Sequence, residues 1–230
     1  MMRFRSLLVS GFAIAALALT CPASRACDSY YVLIFGSQRT PNRAKYTHTF
    51  ATFVKVTDEG PGRCSFEAHT ISWLPQTLDV RIYALLPECG ANFELHDTLR
   101  FVLSEEERVS VWGPYQAEKE LYDRAIEQIA WLEEGKVHYK AVDSGYPTWL
   151  ASNCIHAVAD INREALRLRV FSPGFGEVAS YAVARRLTKW LIDPNTTHDW
   201  VLDMLDLRCY PLIRRDWERP EILKRSQFPR

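Results

Sequence analysis

The chain is expected to fold as one α+β domain, an antiparallel sheet packed against helices. Three observations predict this. Its first half holds short β-branched and aromatic runs punctuated by turn residues. Its second half holds apolar residues recurring at three- and four-residue intervals. No repeat, low-complexity tract or linker divides the two. The length, 230 residues, suits one ordinary domain. With 47% hydrophobic and 24% charged residues the chain can build a core, which excludes a disordered protein. Lys+Arg and Asp+Glu both number 28, so no global basic field points to nucleic acid.

The elements follow in order. Residues 30–35 and 47–56 read as strands, and the run Asp58-Glu59-Gly60-Pro61-Gly62 as a turn. Strand character resumes at 66–73, and 79–85 alternates with Val80, Ile82 and Ala84 on one side. Residues 87–92 read as loop, 95–107 as a short helix, and 108–112 as a strand ended by Gly113-Pro114. The clearest helix spans 116–134, where Leu121, Tyr122, Ala125, Ile126, Ile129 and Leu132 form one apolar face, with Gly135 as its stop. Val137, Tyr139 and Ala141 alternate in a further strand, and 145–152 is loop. Residues 154–161, 178–192 and 199–207 read as helices. The charged, proline-bearing tail beyond Pro211 is expected to stay out of the core.

Residues 1–26 read as an address. Arg3 and Arg5 precede an apolar run from 7 to 19, and Ser24 and Ala26 put small residues at the −3 and −1 positions of a cleavage site. The run is shorter than the ~20 residues of a membrane span. A secreted or periplasmic protein is therefore expected, cleaved after Ala26, without a transmembrane domain in the mature chain. Lipoprotein processing at Cys21 or Cys27 lacks the usual preceding residues. Residues 27–230 then form the single domain, with the last part as a helical extension. The mature chain would keep 25 positive and 28 negative charges, still without basic character.

Cleavage leaves five cysteines: Cys27, Cys64, Cys89, Cys154 and Cys209. Exported thiols tend to pair. Two disulfides among Cys27, Cys64, Cys89 and Cys209, in any of three pairings, would leave Cys154 as the thiol. No CxxC pair suggests zinc.

Cys154 lies in Ser152-Asn153-Cys154-Ile155-His156, where Ser152 or Asn153 can cap a helix that Cys154 enters in its first turn. Unpaired N–H groups there favour a thiolate and can hold an oxyanion. The alternative is a buried small hydrophobe. A nucleophilic thiol needs an imidazole base and that base an orienting partner. His48 and His69 lie in the two strands flanking the 58–62 turn. A hairpin centred between Asp58 and Glu59 sets 48 opposite 69, on one face of the sheet. His156, two residues along the helix, reads as structural, and His96, His138 and His198 have no evident partner.

Thr47-His48 opening a strand, a second strand with His69, and a later Asn153-Cys154-x-His156 resemble circularly permuted papain-like thiol enzymes, the group of permuted NlpC-type amidases and lecithin:retinol acyltransferase relatives. In that group the histidine precedes the cysteine along the chain, as here. The resemblance implies a sheet carrying the histidines on a helix that begins with the cysteine. It implies Cys154 as nucleophile, His48 as general base and His69 as orienter. It covers three short windows, and 80-odd residues separate His69 from Cys154.

Trp149, five residues before Cys154, is a candidate wall of the substrate groove. Pro173-Gly174-Phe175-Gly176-Glu177 reads as an anion cradle or a tight turn, and Asn195-Thr196-Thr197 matches a glycosylation sequon. The expected function is an exported cysteine hydrolase or acyltransferase acting on an amide or ester, a peptidoglycan peptide in a bacterial envelope or a lipid ester, with no metal or organic cofactor. The alternatives are a non-catalytic binding member of the same fold and a small disulfide-stabilised envelope protein.

Overall fold

A computed structural model describes residues 28–60, 62–147, 149–161 and 174–217. The address segment, Cys21 and Cys27 lie outside the described residues. Among the described residues no helix is long and apolar enough to cross a membrane.

The central strand is β1 (Asp28–Gln38), and its Tyr-Tyr-Val-Leu-Ile-Phe run is apolar on both sides. Tyr30, Val32 and Ile34 enter one core, while Tyr31, Leu33 and Phe35 enter the other. A strand buried on both faces reads as a continuous apolar run rather than an alternation. It pairs antiparallel with β2 (Thr47–Gly60) and with β6 (Arg108–Ala117). β3 (Arg63–Ile71) adds antiparallel to β2, and β9 (Leu212–Arg215) adds parallel to β6, giving the order β3-β2-β1-β6-β9.

Helices cover both faces. On the first, α2 (Lys119–Glu133) contributes Leu121, Tyr122 and Ala125, α3 (Cys154–Ala159) contributes Ala157 and Val158, and α4 (Glu177–Leu187) contributes Val183, Ala184 and Leu187. On the second, α1 (Leu95–Ser104) contributes Leu99 and Val102, and α5 (Trp200–Met204) contributes Val201 and Leu202. A smaller sheet of order β4-β5-β7-β8 is built from β4 (Trp73–Pro75), β5 (Glu88–Asn92), β7 (His138–Tyr139) and β8 (Ala151–Ser152). The molecule is mixed helix and sheet with sheets packed on helices, compatible with the α+β class.

Several local expectations are corrected. Residues 79–85 form no strand; the chain turns there, with Leu78 in the left-handed region (φ 59°) and Tyr83 95% exposed. The partner of β4 is instead the stretch 88–92 that reads as loop. Its Gly90 lies under the Trp73 ring, where a Cβ would fall 2.1 Å from Cζ2, so the glycine serves a close approach rather than a turn. Gly113-Pro114 does not end β6. The strand continues to Ala117 through a register shift opposite Val32 and Ile34, and Gly113 takes φ 96° there. The helix expected from 116 consequently starts at Lys119.

The tail beyond Pro211 is part of the sheet. Arg215 of β9 reaches Glu177, a fully buried carboxylate that also receives Arg108 and the Ser110 hydroxyl. With α4 and α5 on opposite faces, the last described segment closes the fold instead of extending from it.

Candidate active site around Cys154

The first residue of α3 is Cys154, and the sequence dictates why the helix begins there. The Asn153 side-chain oxygen accepts the His156 N–H at 2.8 Å, the hydrogen bond of an N-cap. Asn153 is itself held by Asp143, whose carboxylate accepts the Asn153 backbone N–H at 3.1 Å and its Nδ2 at 3.2 Å. The same carboxylate meets His156 Nδ1 at 2.6 Å. Asp143 is 0% exposed, so this is a buried charge with its acceptor positions occupied. His156 is structural, as its position in the sequence suggests, through its buried hydrogen bond to the Asp143 carboxylate.

The Cys154 sulfur is buried; the residue is 8% exposed. The backbone N–H groups of Thr49, Ile155 and Cys154 itself lie close to it. These lower the thiol pKa, yet burial wins and pushes it up to about 11, with the Asp143 carboxylate adding to the rise. The expectation of an acidified thiol is thus corrected: a helix start supplies N–H groups, but the apolar surroundings of this one cost a thiolate more than they return. Thr49 directly follows His48, so the sulfur rests against the backbone of β2, while the His48 side chain points to the other face, toward α1.

His48 lies in β2 opposite Ser37 of β1 and is buried. Its Nε2 meets Ser72 Oγ at 2.9 Å, and Ser72 Oγ receives the Thr98 hydroxyl at 2.7 Å. Its Nδ1 is buried with no hydrogen-bond partner. Burial depresses the imidazole pKa to about 3, so both His48 and Cys154 rest neutral at ordinary pH.

The expected pairing of His48 with His69 is not formed. The hairpin sets Phe53 opposite His69, five positions from the register expected. Because side chains alternate along a strand, an odd slip moves one histidine to the other face. His48 stacks on Phe50 (centroids 5.3 Å apart), toward α1, and His69 sits edge-on to Tyr122 of α2 at 6.0 Å. The β2–β3 ladder extends to Asp58↔Cys64 and shifts only at Gly60↔Arg63, so the 58–62 run holds a late bulge and no early turn. The group that contacts His48 is Ser72, in the break between β3 and β4. No residue pattern marks a serine there as an imidazole partner.

Trp149 is 66% exposed on the turn before β8. Near the same strap, Lys140 Nζ donates to the Ala84 carbonyl and Tyr146 Oη to the Leu85 carbonyl. These bonds hold the 81–87 turn so that Tyr83, Leu85 and Leu86 face outward. Sequence reading placed Tyr83 and Leu85 in a strand and missed them as surface. Among the described residues no group of three His, Cys, Asp or Glu side chains is placed to hold a metal ion.

Cys64, Cys89 and Cys209 are free and exposed, so the expected disulfides are not formed among the described residues. The thiols then differ in access, not in pairing. With a thiol reagent at pH 7.5, Cys64, Cys89 and Cys209 are expected to label at least a hundredfold faster than Cys154, because the reactive species is the thiolate and the buried sulfur has little of it. Peptide mapping of a time course checks this; comparable rates at all four sites would refute the buried neutral thiol.

No family model matches the chain, and no curated protein or solved structure matches it either.

Proposed function

We propose that the protein is a cysteine-dependent hydrolase or acyltransferase of the permuted papain-like kind, acting on an amide or ester in an exported compartment. The observation that carries the reading is the His48 ring. Its Nε2 is held by Ser72 and its buried Nδ1 is left without a partner, on the residue next to Thr49, whose backbone N–H lowers the Cys154 thiol pKa. In the Nε2–H tautomer, Nδ1 carries the lone pair that a general base needs.

The neutral resting state of both groups sets the mechanism. At rest His48 Nδ1 makes no hydrogen bond with the sulfur, so the proposed transfer of the thiol proton to Nδ1, as the sulfur bonds to the carbonyl carbon, requires the ring to approach. The tetrahedral oxyanion faces the N–H groups at the start of α3. Collapse breaks the C–N or C–O bond, and His48 returns the proton to the leaving nitrogen or oxygen. Water, or an acceptor hydroxyl or amine in a transferase, then attacks the thioester with the same imidazole as base, and the thiol is restored. Ser72, backed by Thr98, takes the orienting place expected of His69. Trp149 and the outward Tyr83, Leu85 and Leu86 favour a substrate with an apolar portion, as in a lipid ester, over a wholly polar peptide.

The second reading, a non-catalytic binding protein, draws on the same burial of the sulfur. Intact mass spectrometry during incubation with a p-nitrophenyl acyl ester separates the two. One acyl group on the Cys154 peptide, formed with release of p-nitrophenol and lost on standing, is the expected result. Acylation confined to other residues, or none, would leave the binding reading.

A further inference from the structure

Among the described residues the three most exposed large apolar side chains stand on one turn. Tyr83 is 95% exposed, Leu85 88% and Leu86 76%. Trp149, the next most exposed, lies with Val142 on the segment between β7 and β8, which is tied to this turn through Lys140 and Tyr146. Exposed apolar side chains gathered in one place mark an interaction surface.

The backbone of the turn says what kind of surface. The Arg81 carbonyl accepts the Ala84 N–H at 3.2 Å. The Ala84 carbonyl accepts Lys140 Nζ, and the Leu85 carbonyl accepts Tyr146 Oη at 2.7 Å. Lys140 is only 6% exposed, so its ammonium serves the turn and not the solvent. In water, carbonyls at a turn tip need no such partners. In hydrocarbon an unsatisfied carbonyl is expensive, and a tip whose carbonyls are already held can enter at little cost. The charges beside the turn cancel in pairs, Arg81 with Glu88 and Lys45 with Asp79. No excess cation is left there to seek an anionic partner. The side chains also project: a tyrosine 95% exposed touches almost nothing of its own chain. A protein partner would need a pocket shaped to each of them, whereas a fluid apolar medium closes around any projecting shape.

We propose that this turn, with Trp149, docks the protein on a zwitterionic lipid surface. Leu85 and Leu86 enter the acyl region, and Tyr83 and Trp149 sit at the level of the headgroups, where a ring with an apolar body and a polar edge is at home. The charge pairing fits a surface whose own charges balance. The protein lies on the bilayer and does not span it. The inference concerns where the protein sits and stands without the cysteine reading.

The probe is a phosphatidylcholine vesicle, with and without lipid brominated near the headgroup end of its acyl chains, mixed with the full chain. Bromine quenches tryptophan only at close range. Parental emission is expected to fall on the brominated vesicles, and Trp149→Phe should remove most of that fall. The quenching is read at Trp149, so entry of the apolar run 7–19 into the same vesicles does not imitate it. In the Leu85→Asp/Leu86→Asp double variant the lipid needed for half-maximal quenching should rise at least about tenfold, since two leucines lose their burial. Both positions are exposed, so the variant keeps the fold.

Raising the salt about tenfold should change the parental value by less than about twofold, because the contact is apolar and not ionic. Cys154→Ser should dock as the parent does, so failure of the cysteine chemistry leaves this result standing. No quenching by the brominated lipid, quenching undiminished in Trp149→Phe, or a double variant that docks like the parent overturns the proposal. So does docking confined to anionic vesicles and released by salt. A parental chain that sediments as a dimer without lipid, and a double variant that sediments as a monomer, would assign the patch to a second copy instead and overturn it as well.

Discussion

Cys154→Ser is expected to lower turnover of an activated acyl ester by on the order of 10³-fold or more, and His48→Ala by ~10²–10⁴-fold. Both should keep the far-ultraviolet circular dichroism of the parent. The two losses should fail to add, because nucleophile and base act as one unit. The pH profile carries the sharper information. An ion pair preformed at rest would give an acid limb as the thiolate is protonated near neutral pH. Here the thiol is held up to about 11 and the imidazole down to about 3, so activity should stay flat from about pH 5 to pH 8. His69→Ala should leave the rate within about twofold, since that side chain packs on Tyr122 and not on His48. Steady-state rates for the three variants decide the matter. A Cys154→Ser protein that keeps the parental rate, or a His69→Ala loss as large as that of His48→Ala, would end this account.

Asp143→Ala is expected to destabilise the protein by ~3 kcal/mol or more, since each buried donor left unsatisfied costs about 1–3 kcal/mol. The carboxylate accepts the Asn153 backbone N–H, the Asn153 amide and the His156 ring, and it is wholly enclosed. Truncation strands the two Asn153 donors in a site closed to water. In a chain of this size that corresponds to a fall of ~10 °C in melting temperature. Asp143→Asn keeps an acceptor and should lose less. Because Asn153 caps α3, the alanine variant should also expose the sulfur, and Cys154 should label faster. Urea unfolding and the labelling time course read the two effects; an unchanged midpoint would show that Asp143 does not hold the start of the helix.

The parts legible in the sequence were those governed by local rules. The α2 face repeats at helical spacing, and residues 119–133 form that helix. Asn153 before Cys154 is a cap by residue type, and it caps α3. What escaped depended on partners distant along the chain. The stretch 88–92 reads as loop because Gly90 breaks the pattern, yet Trp73 makes glycine the residue that fits. Residues 79–85 alternate like a strand but meet no neighbouring strand, and without a ladder the alternation buries only part of the run. Leu212–Arg215 sits in a charged tail, and its place in the sheet comes from Arg215 meeting a carboxylate on α4.

At the candidate site the same division holds. Composition and short motifs by themselves determined a globular mixed fold, strands that carry the early histidines, and a capped helix that starts at Cys154, because capping and periodicity act within a few residues. The partner of each histidine and the protonation of the thiol were decided only by tertiary packing. Register depends on where a bulge falls in a long hairpin, and a one-position change reverses the face of every side chain. The acidity of a sulfur depends on how much water surrounds it, and that is set by strands and helices far away in the chain.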